Sequence, residues 1–344
     1  KYYNLYKKTL LDEVMPFWLK YSADESGALL GNSNRLTLIN CTLSNSSAGE
    51  NNGGAIYNVG KLTIINSTIA NNSAREGGAI FTNDPLSLSP SIVIINSTIS
   101  NNFASGNDNL GGGAIFTQKI AEFTIENSSF INNRAGTTAS GGAIFISHST
   151  ANVKITNSEF ISNHANGKNM VGGGAIYRAA SSNYEREGTM TISNTLFENN
   201  TCDANGGAIY VRATTLTVSN SVLINNKDAN GWAVYGYALS GSGPTLNPVI
   251  NLNDNWWGTN DSPKNLVGSN SNYRPTLNRW AILTITNDSE ITAGNTVKLT
   301  VSINNYTTGS ANGTLSNPIN VPREVTIKTT NEDIKGTYYI RYTA

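Results

Sequence analysis

Few side chains in this 344-residue sequence combine types and spacings that could perform acid–base chemistry. Paired carboxylates, or calcium-binding aspartates beside a lysine or arginine base, would cleave polysaccharides if one face of the fold brought them together. The candidate acids and histidines are Glu122, Glu126, Glu159, Glu198, Asp203, His148 and His164. The acids do not share one repeat position, and neither histidine has a partnered nucleophile. We therefore predict a non-enzymatic protein without catalytic residues, a metal site or a cofactor.

A recurring aromatic position offers a second kind of chemistry, the stacking of rings on sugars. Its members are Tyr57, Phe81, Phe116, Phe145, Tyr177 and Tyr210. Two interpretations remain open, an internal structural stack or an exposed sugar-binding strip. In the second, Tyr177 and Tyr210 would contact glycans. Arg178 and Arg212, which follow the aromatic by one and two residues, would join them.

The elements that must position these side chains are sequence repeats. Gly-Gly-Ala-Ile followed by an aromatic occurs six times at intervals of 24, 35, 29, 32 and 33 residues, and a degenerate copy starts 25 residues later at Gly231. The glycine pairs are Gly53, Gly54, Gly77, Gly78, Gly112, Gly113, Gly141, Gly142, Gly173, Gly174, Gly206 and Gly207. A second motif runs in step, led by Asn66, Asn96, Asn127, Asn157, Asn194 and Asn220. An asparagine pair follows most copies, as at Asn71 and Asn72.

Each period contains three short runs that alternate apolar with small polar residues, which is typical of strands. In one copy the runs cover residues 62–65, 68–70 and 79–82. Glycine and asparagine tolerate left-handed backbone at sharp bends, and no helix follows the glycine pairs, as a phosphate-binding loop would require. The sequence therefore predicts an all-β, right-handed parallel β-helix over residues 28–260. Asparagine ladders would join coils spaced about 4.8 Å apart.

Longer periods insert residues at fixed points of the repeat. The insertions lie between the asparagine pair and the glycine pair, as in 103–110, or between the aromatic and the next strand, as in 179–188. Insertions in a solenoid loop outward along one edge, where binding surfaces commonly form. We predict that such an edge presents the binding face.

Composition excludes several classes of protein. Basic and acidic residues both number 23, so no basic excess is present to neutralise a nucleic acid. The 51 asparagines and 32 glycines disfavour a helical enzyme. No apolar stretch of about 18 residues predicts a membrane span, and we expect no signal peptide within this chain. Cys41 and Cys202 are widely separated and match neither a disulfide framework nor a zinc site.

Both ends depart from the repeat. Apolar residues at helical spacing predict an amphipathic helix over residues 1–27. Trp256 and Trp257 fall one period after the last asparagine motif and are expected to close the coil stack. Residues 261–278 are predicted to be a cap or linker, and residues 279–344 a truncated immunoglobulin-like β-sandwich.

A run near the N-terminus resembles the first helix of the N-acylglucosamine 2-epimerase family. This run starts at Tyr6 and reads Tyr-Lys-Lys-Thr-Leu-Leu-Asp-Glu-Val-Met-Pro-Phe-Trp-Leu-Lys-Tyr-Ser-Ala-Asp-Glu. That resemblance implies an α/α-barrel, whose catalytic histidines, arginine and acids lie in later helices without a counterpart here. Residues 1–27 are interpreted either as a chimeric join or as a genuine cap of the β-helix. Epimerase activity, a further alternative function, is not expected.

The glycine and asparagine motifs resemble the repeats of polymorphic outer-membrane proteins. With the closing run Asn-Trp-Trp-Gly-Thr-Asn and the segment that follows it, residues 31–344 look most like adhesin-like surface proteins of methanogenic archaea. The resemblance implies an exported, non-enzymatic cell-surface protein that binds a polysaccharide or a surface protein of another cell. We also expect a monomer. A carbohydrate-active β-helix lyase or hydrolase is the alternative function.

Overall fold

The computed structural model describes residues 18–20, 29–84, 89–106, 110–147, 151–168, 171–179, 187–240, 245–287, 299–319, 321, 324–327 and 338–341. Within these ranges the chain is β-structure, apart from bends and a 3-10 helix at Pro263–Leu266. None of the described helical segments is long and apolar enough to span a membrane.

Four parallel sheets form the faces of the coils, and the chain visits them in the order 1, 2, 3, 4. Sheet 1 contains Arg35–Ile39, Lys61–Ile65, Ser91–Ile95, Glu122–Glu126, Asn152–Thr156, Glu187–Ser193, Thr214–Ser219 and Val249–Asn251. Sheet 2 contains Trp18–Lys20, Thr42–Ser44, Thr68–Ala70, Thr98–Ser100, Ser129–Ile131, Glu159–Ile161, Leu196–Glu198 and Val222–Ile224. Sheet 3 contains Ser73–Ala74, Phe103–Ala104, Arg134–Thr138, His164–Gly167 and Thr201–Cys202. Sheet 4 contains Leu30–Asn32, Ile56–Asn58, Ile80–Thr82, Ile115–Gln118, Ile144–Ser147, Ile176–Ala179, Ile209–Arg212, Val234–Tyr237 and Val267–Ser269.

Stacked aliphatic side chains fill the interior of the coils. On sheet 1, equivalent positions of five successive coils hold Leu38, Ile64, Ile94, Ile125 and Ile155. All five are buried, and their neighbours along each strand point outward because strand side chains alternate between faces. Each such side chain stabilises the fold by roughly 1.5–3 kcal/mol relative to an exposed one. The predicted parallel β-helix is confirmed.

Sheet 3 is a fourth face that the three-run sequence pattern did not predict. Its strands are as short as Ser73–Ala74. Its buried inward residues are Ala74, Ala104, Ala135, Ala165 and Cys202. Strands this short, with alanine as their apolar residue, produce almost no periodic signal, which explains why the pattern missed them.

The leading asparagines of the second motif make the bend between sheets 1 and 2. Asn96 and Asn127 have φ of 49° and 48° and exposed side chains, so they supply left-handed backbone rather than a ladder. The hydroxyl residue that follows makes the contacts between coils. Ser67 N donates to Ser97 Oγ at 3.0 Å, and Ser97 N donates to Ser128 Oγ at 3.0 Å.

A buried asparagine ladder occupies the next bend, between sheets 2 and 3, and confirms that prediction. Its members are Asn72, Asn102, Asn133, Asn163, Asn200 and Asn226. Both the backbone N–H and Nδ2 of Asn133 donate to Asn163 Oδ1 at 3.0 Å. The same Nδ2 donates to the Ile99 carbonyl at 2.9 Å. Each carboxamide therefore satisfies buried polar groups of neighbouring coils.

The two glycines of each pair have different roles. Gly141, the first of its pair, has φ +65°, which is strained for other residues. A Cβ on Gly142, the second, would lie 2.0 Å from the Gly174 carbonyl oxygen and 2.6 Å from the His164 backbone. The first glycine makes the bend and the second admits the next coil.

The N-terminal segment contributes a strand where a helix was predicted. Trp18–Lys20 pairs in parallel with Thr42–Ser44 on sheet 2. Trp18 lies 24 residues before its partner Thr42, the length of the shortest period, because this segment is one more coil of the repeat. The helix over 1–27 is therefore wrong for residues 18–20, and its other residues lie outside the described ranges.

The β-helix continues beyond residue 260 into the segment predicted to be a cap or linker. Val267–Ser269 adds a strand to sheet 4 beside Val234–Tyr237. Trp257 is buried in the main core, and the Trp256 carbonyl accepts a hydrogen bond from Leu223 N at 2.8 Å. The tryptophan pair thus packs against the last coil, where the sequence placed it.

A small antiparallel sheet follows the coils. The strands of this sheet are Trp280–Asn287, Leu299–Thr307 and Asn312–Thr314. Two further strands, Glu324–Ile327 and Tyr338–Arg341, form a separate antiparallel pair. These strands do not establish the immunoglobulin-like sandwich predicted over residues 279–344.

The antiparallel sheet is docked on the outer face of sheet 2. Leu196 and Val222 of that face form one buried cluster with Leu315 and Ile319. Asn220 Nδ2 also donates to the Asn317 carbonyl at 2.6 Å. The C-terminal strands thus cover apolar residues that the last coils would otherwise expose to water.

Candidate functional site

The recurring aromatics form a continuous stack along the outer side of sheet 4. Neighbouring ring centroids from Tyr57 through Tyr210 to Tyr235 lie 4.8–5.3 Å apart. Leu110 and Val171, which belong to insertions ahead of the glycine pairs, pack against this stack. The structural interpretation of the aromatics is confirmed.

The residues predicted to contact glycans are largely inaccessible, which corrects the sugar-binding strip. Tyr177 is 3 % exposed and Tyr210 0 %, because neighbouring rings and insertions cover this face. Arg178 is 1 % exposed because it occupies the inward position that Ile146 holds in the preceding coil. Arg178 donates from Nη2 to the Ala151 carbonyl and from Nη1 to the Thr189 carbonyl, both at 2.8 Å. Arg212 is half-buried and lies 5.5 Å from the Tyr237 ring centroid. These residues hold coils together.

Burial also sets the protonation of this stack. Desolvation raises the pKa of Tyr177, Tyr210 and Tyr235 above the ordinary tyrosine value. The three phenols therefore stay protonated further into the alkaline range than an exposed tyrosine does.

A polar groove lies instead on the insertions that follow sheet 3. It encloses about 610 Å³. Its lining residues are Thr137, Asn166, Gly167, Lys168, Asp203, Ala204, Asn205 and Asn230. A β-bulge between Ala135 and Thr137 shifts the register of this sheet, and bulges re-aim side chains in this way. The groove therefore lies on one of the two insertion edges predicted from the sequence.

His164 stands beside the groove in a hydrogen-bonded network. Its Nδ1 lies 2.8 Å from Thr201 Oγ1, and its Nε2 lies 2.5 Å from Asn166 Oδ1. Because the amide oxygen only accepts, Nε2 donates to it, and Nδ1 pairs with the threonine hydroxyl, which can donate or accept. Asp203 Oδ1 lies 3.8 Å from Nε2. The network fixes the imidazole and the Asn166 amide at the groove wall.

An exposed ring extends this polar face. Phe103 is 39 % exposed and occupies the same outward position of sheet 3 as Arg134 in the next coil. A Cβ on Gly136 would lie 3.3 Å from Phe103 Cζ, so the ring leans over the strand next to Thr137 of the groove. The face thus offers an aromatic platform beside amide, hydroxyl and charged groups.

Two titratable groups next to the groove have structural roles. Burial raises the pKa of the Cys202 thiol to about 11, so it stays protonated and is a poor nucleophile at neutral pH. The Asp228 carboxylate accepts hydrogen bonds from Gly206 N and Asn230 N at 2.7 Å and from Trp232 N at 2.9 Å. Burial raises its pKa, which those bonds partly offset. Asp228 holds the turn that carries Asn230.

The candidate acids of the sequence do not converge on one site. Glu126 lies on sheet 1 beside Thr156, whereas Glu159 lies on sheet 2, where Ser129 Oγ donates to its Oε1 at 2.6 Å. His148 is outside the described residues. Within the described ranges, no group of three or more His, Cys, Asp or Glu side chains is placed to hold a metal ion.

Sequence reasoning named His164 and Asp203 as weak candidates and missed their neighbours Asn166, Lys168 and Phe103. A usable signal was present, because all five residues follow the buried ladder asparagine of their coil and precede its glycine pair. Aligning the coils on the asparagine ladder places Phe103, Arg134 and His164 at one position.

Comparison with known protein families agrees with this architecture. The family described as the right-handed β-helix region matches residues 20–184. The repeat of the Chlamydia polymorphic membrane protein matches residues 194–212. No curated protein and no solved structure gives a significant match. The coils are therefore right-handed β-helix repeats, one of which is similar to the polymorphic membrane protein repeat.

Proposed function

We propose that this chain is the glycan-binding part of an adhesin-like protein at the cell surface, and that it binds glycans in the sheet 3 groove without cleaving them. The observation that supports this most is the exposed Phe103 ring on the same face as a groove lined by amides and hydroxyls. Amide and hydroxyl groups pair with sugar hydroxyls, and an aromatic face stacks on the apolar side of a pyranose. The similarity of residues 194–212 to a membrane protein repeat is consistent with a surface location.

We expect the full chain to bind extended oligosaccharides on a glycan array and to leave them intact. Phe103→Ala should weaken binding about tenfold, because the stacking platform is lost. Tyr57→Ala is the matched control, since Tyr57 is a similarly exposed aromatic (38 %) on sheet 4. The affinity of the Tyr57→Ala variant for the oligosaccharides should equal that of the unaltered chain.

Two outcomes would contradict the proposal. Equal losses from Phe103→Ala and Tyr57→Ala would place the binding face elsewhere. New reducing ends or unsaturated sugars after incubation would favour the β-helix lyase or hydrolase.

A further inference from the structure

We propose that the ligand of the sheet 3 face is an acidic linear polysaccharide that runs parallel to the β-helix axis. This inference rests on the proposed glycan binding and adds the charge and direction of the ligand. Five stacked positions carry it, and we call them the outer row: Phe103, Arg134, His164, Thr201 and Lys227.

The register of sheet 3 fixes the spacing of the outer row. Phe103 pairs with Arg134, Arg134 with His164, His164 with Thr201, and Thr201 with Lys227. Strands lie about 4.8 Å apart, so the row spans about 19 Å along the axis. This spacing is close to the length of one sugar unit in an extended chain. A linear glycan along the axis would therefore meet one side chain of the row per unit.

The charge of this face is mainly positive. Arg134 and Lys227 of the outer row are exposed, and Lys168 is exposed on the groove beside them. Among the described residues that form the outer row and line the groove, the exposed carboxylate is Asp203, whose side chain is 61 % exposed. Glu76 and Asp228 are buried near the same edge, where Glu76 pairs with Arg75 and Asp228 accepts backbone hydrogen bonds. Within that described set, three exposed cations against one exposed acid complement a chain of carboxylated or sulfated sugars.

The chain as a whole has no such bias, because its formal net charge is zero. A nucleic acid needs a broad basic surface, whereas this row is narrow and includes a ring suited to a sugar face. The amides of Asn166 and Asn205 in the groove can pair with the uncharged hydroxyls of the same ligand.

The test compares polygalacturonate with its fully methyl-esterified form, which has the same backbone without charge. Alginate and chondroitin sulfate extend the acidic set. We expect the full chain to bind at least one acidic polymer about tenfold more tightly than the esterified form, with affinity falling as salt rises. Arg134→Gln combined with Lys227→Gln should remove most of this preference, because the affinity for the acidic polymer should fall more than the affinity for the esterified form. The control is Arg35→Gln combined with Lys154→Gln, which neutralises two exposed cations of sheet 1. It should change neither the affinity for the acidic polymer nor the affinity for the esterified form.

The outcomes separate this inference from the proposed function. Equal affinity for polygalacturonate and its esterified form, with Phe103→Ala still weakening binding, would contradict the inference that the ligand is acidic. The proposed glycan site would still hold. Binding to none of the polymers would overturn both. Tighter binding to single-stranded DNA than to the acidic polysaccharides, at the same ionic strength, would contradict the inference and identify the ligand of this face as a nucleic acid.

Discussion

Gly142→Ala is expected to destabilise the protein by about 3 kcal/mol. The added Cβ would lie 2.0 Å from the Gly174 carbonyl oxygen and 2.6 Å from the His164 backbone. Both contacts are backbone of the next coil, so no side chain can move aside. The coils would have to separate at this point. Urea unfolding followed by far-ultraviolet circular dichroism measures the change.

Gly31→Ala is the matched control for that substitution. Gly31 lies on sheet 4 in the first coil, and a Cβ there would have no atom within 4 Å. Its free energy of unfolding should change by no more than about 0.5 kcal/mol. An unaltered unfolding midpoint for Gly142→Ala would show that the coils are not packed as closely as described.

Asn163→Ala is expected to cost about 3–5 kcal/mol, because it opens the asparagine ladder in the middle. The Asn163 side chain is fully buried. It donates to the Phe130 carbonyl and to Asn200 Oδ1, both at 2.9 Å, and it accepts two hydrogen bonds from Asn133 at 3.0 Å. Alanine removes these four hydrogen bonds inside the protein, and what remains is the bond from the backbone N–H of residue 163 to Asn200 Oδ1 and the bond from Asn133 Nδ2 to the Ile99 carbonyl. Thermal unfolding of the unaltered protein and of the Asn163→Ala variant, at equal concentration, measures the loss of stability.

Asn157→Gly tests the other role of asparagine in the same coil. Asn157 has φ 50° and an exposed side chain, so glycine can take its place without strain. We expect a change of at most about 0.5 kcal/mol. Equal destabilisation by Asn163→Ala and Asn157→Gly would contradict the division between ladder and bend residues.

Much of the fold could be predicted from the sequence because each coil repeats the same physical requirements. Left-handed backbone is required at Gly141 and Asn157, and a buried aliphatic side chain is required at Ile155. The residue types that meet these requirements recur visibly in the sequence. Sheet 3 could not be predicted, because strands such as Ser73–Ala74 are too short for periodicity. The strand at Trp18–Lys20 was missed because the apolar residues around it also fit a helical period.

The candidate site was harder to predict than the fold. The repeat identified Tyr177 and Tyr210 as an aligned pair, but alignment along a sheet does not reveal which insertions cover it. The residues that form the groove, such as Asn166 and Lys168, lie in insertions of different length and type. Their proximity depends on the stacking of coils, which becomes clear only when the ladder residues are placed in register.

Hydrogen–deuterium exchange of the full chain with and without a bound acidic polysaccharide tests most directly the claim that the sheet 3 insertions are the binding face. We predict slower exchange in residues 134–138, 164–168 and 201–205, and unchanged exchange in the sheet 1 strands. Protection confined to sheet 1 or to the outer face of sheet 2, or no protection at saturating ligand, would contradict the account.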